Sequence, residues 1–312
     1  MKLTGHRRPA HVRNRAVRFG LGRAVAAAPA MLGSLLLLTL VSVTFGWCVG
    51  LLLPLTWAAG AAVLRTRVGE QMTLRAACGF HRPIPAQAAS LQPAWSAALR
   101  VTGTAARDVE LYVQSDRAPN ACAAGGRSVA VTSRVVEDHA TGRLPEGQLV
   151  AVLVHELGHH ATGATRPMLI LTWLTAPWRA TASVFTRLAN ILAGRHPRRG
   201  LSIVVLAGLV VAEVRALQQG QWMDGGVLVV VGLTAMFVPL VNAAISRRSE
   251  YAADRFAADH GLAIELAAAL RLLDGDHRAP RRWSRLLSTH PTAEQRIRAL
   301  RTATVGQASD GG

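Results

Sequence analysis

One short segment decides the fold of this chain: His155-Glu156-Leu157-Gly158-His159. It follows the apolar run Leu149–Val154, and Pro145 and Glu146 precede that run as typical first-turn helix residues. On a helix, residues four apart share a face, so both imidazoles can reach one ion while Glu156 reaches a water molecule beside it. The pattern predicts a buried helix that carries a zinc site, because neutral imidazole is a good zinc ligand.

Two histidines leave a zinc site incomplete, so a third protein ligand must come from another segment. Glu250 is the leading candidate, and Asp254 lies one helical turn beyond it on the same face. A carboxylate next to a ligating histidine fixes the histidine tautomer, which is the role we expect for Asp254. The alternative is a solvated acidic pair among arginines, which the spacing alone does not exclude. The side chain of His160 points in a different direction around the helix axis from those of His155 and His159, so we expect it at the surface or behind a ligand.

The composition of the 312 residues indicates a membrane protein. Half of the residues are hydrophobic and only 17% are charged, whereas soluble domains carry about 25% charged residues. The net charge is +17, but the basic residues flank apolar runs and only 5% of residues are aromatic. We therefore expect contact with a lipid bilayer and no binding of nucleic acid. The three cysteines lack the spacing of a metal or disulfide framework.

The first apolar block covers residues 24–64 and contains no charged residue. A membrane span needs about 20 apolar residues, so the block has room for a transmembrane hairpin. Basic residues at both ends favour entry from the cytoplasm, with residues 1–23 as a basic cytoplasmic tail. The alternative is a cleaved signal peptide, whose apolar core would be only about 7–15 residues long.

The second apolar block covers residues 167–246 and predicts a second hairpin, with spans at about 201–217 and 225–246. Two arginines follow the last span, and the loop between the spans has no basic residue, which again favours entry from the cytoplasm. The preceding stretch, Met168–Leu192, carries two arginines. It predicts a helix that lies on the membrane interface or packs against the hairpin.

Residues 65–166 and 247–301 are expected to form the two halves of one soluble-type domain. Val109–Val113 and Ser128–Thr132 have strand character, and turn residues between them predict a β-hairpin. The fold class is therefore a mainly α integral membrane protein, with a zincin-like α+β metalloprotease domain that a transmembrane hairpin interrupts.

The C-terminal stretch, residues 249–300, is predicted to be helical from its Ala and Leu content. Gly275 and Pro280 interrupt that pattern. Residues 302–312 are polar, and we expect a flexible tail there.

Four separated motifs together resemble the HtpX-type membrane zinc metalloproteases, which are relatives of the CAAX prenyl endoproteases. The likeness runs from about residue 109 to residue 300 and is more specific than the two-histidine segment alone. Its motifs are His155–His159, the segment Ser246–Asp254 after the hairpin, Ser288–Ile297, and Asn120-Ala121 with Gly126 and the strand Val129–Thr132.

The resemblance implies roles for five residues outside the two-histidine segment. Glu250 would be the third zinc ligand, and Asp254 would orient a ligating histidine. His290 and Arg296 would stabilise the oxyanion of the tetrahedral intermediate, a role that suits donors aimed at developing charge. Asn120 would bind substrate backbone beside an edge strand, where an extended peptide adds as one more strand.

The sequence thus predicts a multi-pass endopeptidase of the plasma membrane, with one Zn²⁺ ion, Glu156 as general base and the active site facing the cytoplasm. Its expected partners are polypeptide substrates, in particular unfolded or damaged membrane proteins, as in protein quality control. Two alternatives stay open. One is a membrane sensor whose protease domain cleaves a specific partner. The other is a CAAX-type prenyl protease. Such a protease would need a large chamber inside the membrane, and the four predicted spans are few for such a chamber.

Overall fold

The computed structural model describes residues 10–44, 47–192, 211, 214–215, 218–220, 222–273 and 290–309, and the chain is mostly helical there. The helices are α1 (Ala10–Thr44), α2 (Trp47–Val63), α3 (Arg67–Cys78), α4 (Pro85–Thr102), α5 (Ser133–Ala140), α6 (Glu146–Ala161), α7 (Arg166–Leu174), α8 (Ala176–Leu192), α9 (Trp222–Asp259), α10 (Ala263–Leu273) and α11 (Ala293–Ser309). The strands are β1 (Phe80–His81), β2 (Glu110–Gln114), β3 (Ala121–Ala124) and β4 (Ser128–Thr132).

The chain divides into two compact units. The first unit contains the described residues of Met1–Arg23, Ala62–Ile170 and Ala243–Gly312. The second contains those of Ala24–Ala61 and Leu171–Asn242.

The first unit has a four-stranded sheet in the order β1-β2-β4-β3. β4 is the predicted strand 128–132, and β2 is shifted by one residue from the predicted strand 109–113. The predicted hairpin between these two strands is wrong, because they pair in parallel, with Leu111 opposite Val129. The chain between them forms β3, which pairs antiparallel with β4 at the edge of the sheet. β3 contains only alanine and cysteine, so it lacks the β-branched residues that indicate a strand.

Helix α6 packs against α4, α10 and the sheet, and it carries the two-histidine segment. Pro145 precedes its first residue, so the predicted buried helix is confirmed. Leu149, Leu153 and Val154 are fully buried, and each such side chain contributes roughly 1.5–3 kcal/mol to folding. This packing holds both histidines on a rigid element.

Glu70 on α3 fixes the turn between β3 and β4. Its carboxylate accepts hydrogen bonds from the backbone N–H groups of Gly126 and Arg127 and from the Ser128 hydroxyl, at 3.0 or 3.1 Å. Gly125, in the same turn, has a φ of +60°, and a Cβ there would lie 2.5 Å from the Glu70 carboxylate. The turn therefore requires glycine, and the α3 carboxylate anchors one end of the edge strand.

In the second unit, two tryptophans pack against glycines of α1 and α2. The backbone N–H of Trp178 donates to Ser34 Oγ, and a Cβ on Gly33 would lie 2.7 Å from the Trp178 ring. Trp173 Nε1 donates to the Trp57 carbonyl at 2.8 Å. The stretch predicted as an interfacial or packed helix thus lies against the N-terminal apolar helices.

Among the described residues, one helical segment is long and apolar enough to cross a membrane, Gly20–Thr44 within α1. Only 11% of its most apolar part is buried, so most of its surface has no protein partner in the described residues. The apolar segment Leu51–Val63 of α2 is shorter. The predicted span 201–217 lies almost entirely outside the described residues, and the predicted span 225–246 falls within α9.

The C-terminal part differs from prediction in one respect. Helix α11 extends to Ser309, so residues 302–309, where we expected a flexible tail, are helical. The predicted breaks at Gly275 and Pro280 lie outside the described residues.

Candidate metal centre

Three side chains from two helices meet in the first unit. His155 and His159 lie on one face of α6, and Glu250 comes from α9. His155 Nε2 lies 3.5 Å from Glu250 Oε2, and His159 Nε2 lies 3.6 Å from Glu250 Oε1. One ligand atom from each residue lies within 4.8 Å of the others, so the three could hold a metal ion together.

The arrangement fits zinc. Ligand atoms about 2.0–2.2 Å from a tetrahedral zinc ion lie roughly 3.3–3.6 Å apart, and both measured histidine–carboxylate distances fall at or near this range. Two imidazoles and one carboxylate are also a donor set of catalytic zinc sites, which keep a fourth position open.

Asp254 lies behind His155, one turn beyond Glu250 on α9. Its Oδ1 is 3.0 Å from His155 Nδ1, and His155 Nε2 faces Glu250 Oε2 at 3.5 Å and Arg296 Nη2 at 3.2 Å. Burial would raise the pKa of Asp254, but hydrogen bonds with His155 and Arg296 hold it below its usual value. Burial would likewise lower the pKa of His155, yet the Asp254 and Glu250 carboxylates raise it to about 9. The aspartate thus orients the histidine and makes it more basic.

His159 has a corresponding partner that sequence reasoning missed. Ser249 Oγ forms a hydrogen bond of 3.2 Å with His159 Nδ1. Burial lowers the pKa of His159 to about 3, which favours the neutral form of its imidazole. The signal in the sequence was the position of Ser249 directly before the candidate ligand Glu250.

Glu156 is buried and lies in the same cavity as the candidate ligands. Burial raises the pKa of its carboxyl group, although nearby positive charges and a hydrogen bond from the Ala123 backbone oppose the rise. A carboxylate with a raised pKa is suited to accept and release a proton. The contact with Ala123 also joins Glu156 to the edge strand β3, a link between distant chain positions that sequence analysis did not predict.

The cavity has a volume of about 520 Å³. Its walls come from β3, α6, the start of α7, α9, α10 and the region from His290 to Arg296. Because the candidate ligands, the buried glutamate and an edge strand all line one cavity, a peptide and a metal ion could meet there.

Arg296 and His290 both contact Glu250. Arg296 donates to Asp254 through Nε at 2.9 Å and through Nη2 at 2.6 Å, and its Nη1 lies 3.3 Å from Glu250 Oε2. His290 has an exposed side chain, but its Nδ1 lies 3.2 Å from Glu250 Oε1. The hydrogen bond with Glu250 raises the pKa of His290. The structure therefore brings both predicted residues to the metal centre.

Asn120 lines the cavity at the beginning of β3. Its backbone N–H donates to Thr132 Oγ1, and its carbonyl accepts a hydrogen bond from the Thr132 N–H. The residue predicted to bind substrate backbone is thus part of the edge of the sheet.

His160 is not at the surface, which was one of the two positions expected for it. Its ring is buried, with Nε2 3.0 Å from the Ser128 carbonyl and Nδ1 3.0 Å from Thr165 Oγ1. The ring therefore connects the end of α6 to the beginning of β4. Helical direction predicted that it points away from the ion, but not that the sheet covers that side.

Comparison with known proteins gives matches in sequence and in structure. A family described as Peptidase family M48 matches residues 85–304. The protein "Protease HtpX homolog" of Tropheryma whipplei (strain Twist) is 28% identical over an alignment of 219 residues that covers 62% of this chain and 65% of that protein. The "Protease HtpX homolog" of Acidiphilium cryptum (strain JF-5) is 32% identical over 169 residues, which are 53% of this chain and 49% of that protein.

The chain thus spans less than two thirds of the length of these curated relatives. The crystal structure of S. mikatae Ste24p aligns with 94% of this chain and 66% of that chain, at 18% identity and a TM-score of 0.46.

The family match includes every candidate ligand, the buried glutamate and the edge strand. It also covers well over half of the chain, and the HtpX homologs support the resemblance that the four motifs indicated. The predicted family is confirmed: this protein is an HtpX-type member of peptidase family M48, a family of metalloproteases.

Proposed function

We propose that the protein is a membrane-bound, zinc-dependent endopeptidase that hydrolyses peptide bonds in unfolded or damaged membrane proteins. The observation that carries the proposal is one cavity in which the buried Glu156 lies with His155, His159 and Glu250, next to the edge strand β3. That combination supplies a place for a metal ion, a proton acceptor and a surface for an extended peptide.

Each group in this cavity has a task in peptide hydrolysis. A zinc ion held by His155, His159 and Glu250 would supply Lewis acidity, which polarises the peptide carbonyl and lowers the pKa of a water molecule. Glu156 takes the proton of the attacking water, and its raised pKa suits it to deliver that proton to the departing amine. Asp254 keeps His155 in the tautomer whose Nε2 faces the ligand position.

The edge strand β3 is the proposed binding surface for the substrate backbone. In an antiparallel ladder, residue pairs that are hydrogen-bonded to each other alternate with pairs that are not. Asn120 and Thr132 form a hydrogen-bonded pair, because the Thr132 N–H donates to the Asn120 carbonyl. By this alternation, the backbone groups of Ala121 and Ala123 point to the free edge. The Ala123 N–H donates to Glu156, which leaves the Ala123 carbonyl and the groups of Ala121 for substrate. The Asn120 side chain is proposed to add a further contact at the beginning of the strand.

His290 and Arg296 are proposed to stabilise the oxyanion. Both place a donor beside Glu250, where negative charge develops on the substrate carbonyl oxygen. Arg296 is held by two hydrogen bonds to Asp254, so its charge is fixed in position before substrate binds.

The membrane part of the proposal rests on the apolar segments. Gly20–Thr44 is long enough to span a bilayer, and basic residues flank both apolar blocks. We therefore place the protein in the plasma membrane as a multi-pass protein, with two hairpins that enter from the cytoplasm and the active site on the cytoplasmic side.

The test is cleavage of an unfolded protein by the purified full chain in detergent with zinc. Glu156→Gln removes the proton acceptor and retains the shape of the side chain, so activity should fall about 10²–10⁴-fold while bound zinc remains. His155→Ala is the matched comparison, since it should lose both zinc and activity. Metal analysis and circular dichroism on the same samples separate these results from misfolding. Cleavage by Glu156→Gln at the wild-type rate would refute the proposal.

The proposed substrate class is tested separately with one membrane protein in folded and heat-unfolded form. Faster cleavage of the unfolded form is expected. Cleavage restricted to one native partner, or to a prenylated peptide, would favour instead the sensor or the prenyl protease.

A further inference from the structure

The side chain of Arg23, on α1, lines the same cavity as the candidate ligands and Glu156. Its Nη1 donates a hydrogen bond to the carbonyl of Ala164, just beyond the end of α6. Thr165 and Met168 line the cavity as well. In the sequence, Arg23 is the last basic residue before the first apolar block. The proposed catalytic steps make no use of it.

The positive charge of Arg23 has no dedicated counterion in the part of the chain that the structure describes. The carboxylate that acts on it there is Glu250. Glu250 is already occupied, because its oxygens lie 3.2–3.6 Å from atoms of His155, His159, His290 and Arg296. Among the described residues, the charge of Arg23 is therefore largely uncompensated.

A guanidinium group has five N–H donors in a planar fork. Arg23 is partly buried, and the Ala164 carbonyl accepts one of its hydrogen bonds. A partly buried charge is costly unless it is paired. An anion that enters the cavity would pair with this charge, and a carboxylate matches the guanidinium fork with two parallel hydrogen bonds.

Another wall of the cavity is apolar. Leu266, Leu270 and Leu273 of α10 line it. The cavity thus combines an apolar wall, the edge of a sheet and one cationic group, and a peptide with apolar side chains and a nearby carboxylate matches all three.

We infer that Arg23 determines specificity by binding a carboxylate of the peptide substrate close to the bond that is cleaved. The carboxylate is either an Asp or Glu side chain or the C-terminal carboxylate of the substrate. This inference rests on the proposed endopeptidase function and adds the substrate class: peptides that are acidic near the cleavage site.

The experiment uses fluorogenic peptides with one apolar core, cleaved by the zinc-loaded full chain in detergent. In one set, each flanking position carries Glu or Gln in turn. In a second set without acidic side chains, the C-terminus is either a free carboxylate or an amide. The two sets distinguish the two sources of the carboxylate.

The wild type should prefer the acidic member of at least one pair by about 10-fold or more in kcat/KM, because a buried charge-assisted hydrogen bond is strong. Arg23→Gln should reduce that preference to about 2-fold or less, mainly through KM. If Arg23 acted only through its hydrogen bond to Ala164, Arg23→Gln would slow the cleavage of all peptides alike.

Two further variants separate recognition from structure. Arg23→Glu should reverse the preference, so that a Lys peptide is cleaved better than its Glu counterpart. Arg65→Gln is the matched control, because Arg65 is an exposed arginine that also flanks an apolar helix but does not line the cavity. It should leave the preference unchanged.

Binding gives a readout that is independent of turnover. Labelled Glu and Gln peptides are titrated into Glu156→Gln with and without Arg23→Gln, and the ratio of the two Kd values should fall only when Arg23 is replaced. The inference would be overturned if the wild type cleaved and bound the acidic and neutral peptides equally well. It would also be overturned if the preference for the acidic peptide survived Arg23→Gln. In both cases the proposed endopeptidase function would stand. If the wild type cleaves none of the peptides, the proposed function itself fails, and the inference with it.

Discussion

At the residue scale, the metal centre depends on two carboxylates of α9 with different tasks. Glu250 faces the Nε2 atoms of both histidines, whereas Asp254 contacts Nδ1 of His155 and holds Arg296. One turn of helix separates the two carboxylates, so in the proposed zinc site a single element would supply both a ligand and the group that orients another ligand.

The role of Asp254 is tested by Asp254→Asn. The amide cannot carry the negative charge that raises the basicity of His155, so zinc affinity should fall about 10–100-fold. Zinc should be present after purification but leave under a chelator that the wild type resists, which competition titration measures. Asp259→Asn, at the exposed end of the same helix, is the control and should keep wild-type affinity. Unchanged zinc affinity in Asp254→Asn would show that the aspartate does not support the metal ligand His155 and acts only through its contact with Arg296.

His290 is expected to act in turnover rather than in metal binding. Its side chain is 72% exposed although Nδ1 lies beside Glu250, so His290→Ala should leave the buried ligands in place. If His290 stabilises the oxyanion, kcat should fall about 10²–10³-fold with little loss of zinc. Steady-state kinetics with metal analysis measures both quantities. Full activity in His290→Ala would show that the His290 side chain has no role in turnover.

Sequence alone predicted those site residues whose spacing follows a helical repeat. His155 and His159 are four residues apart, and Glu250 and Asp254 repeat the same interval. The contact of Ser249 with His159 gives no such pattern, because the partner lies 90 positions away along the chain. Contacts of this kind depend on how two helices pack, which local periodicity does not encode.

At the element scale, the approach of α6 to α9 depends on Gly158. A Cβ at this position would lie 3.1 Å from Phe256 and 3.2 Å from the Ala253 backbone on α9. Such contacts are tighter than ordinary packing, so glycine allows the two ligand-bearing helices to lie close together. The glycine between the two histidines thus has a packing function, although it ligates nothing.

The edge strand β3 was missed for a physical reason. Strands are predicted from alternating β-branched and apolar residues, and Ala121-Cys122-Ala123-Ala124 has no such pattern. Its position comes from pairing with β4 and from the Glu70 hydrogen bonds at its turn. The parallel pairing of β2 with β4 follows from this strand, so missing it led to the wrong hairpin.

Glu70→Gln tests how strongly this anchor holds the edge of the sheet. The neutral amide keeps only one acceptor oxygen, so the hydrogen bonds to the other oxygen are lost and the remaining ones lose their charge assistance. Stability should therefore fall by about 1.5–3 kcal/mol. Thermal unfolding of the purified protein should therefore begin several degrees lower. Glu137→Gln is the control, since Glu137 is 60% exposed and its ion pairs contribute little. Equal stability of the two variants would contradict the anchoring role.

At the scale of the whole molecule, the proposed orientation in the membrane rests on the pattern of charge and hydropathy. Basic residues lie before and after both apolar blocks, whereas the loop at 218–224 has none. This asymmetry could be identified from sequence because orientation depends on charge counts next to apolar segments and not on packing. The number of spans was harder to predict, because Arg179, Arg187 and Glu213 interrupt the second block.

The predicted orientation can be measured with truncated fusions to two reporters, one active only in the cytoplasm and one active only outside it. Fusions after Thr66, after Gly163 and at the C-terminus should report the cytoplasm, because each follows an even number of spans. A fusion after Gln219, between the two spans of the second hairpin, should report the outside. A single N-terminal span would leave Thr66 outside and place His155 and His159 there too, so an external signal after Thr66 would overturn the cytoplasmic active site.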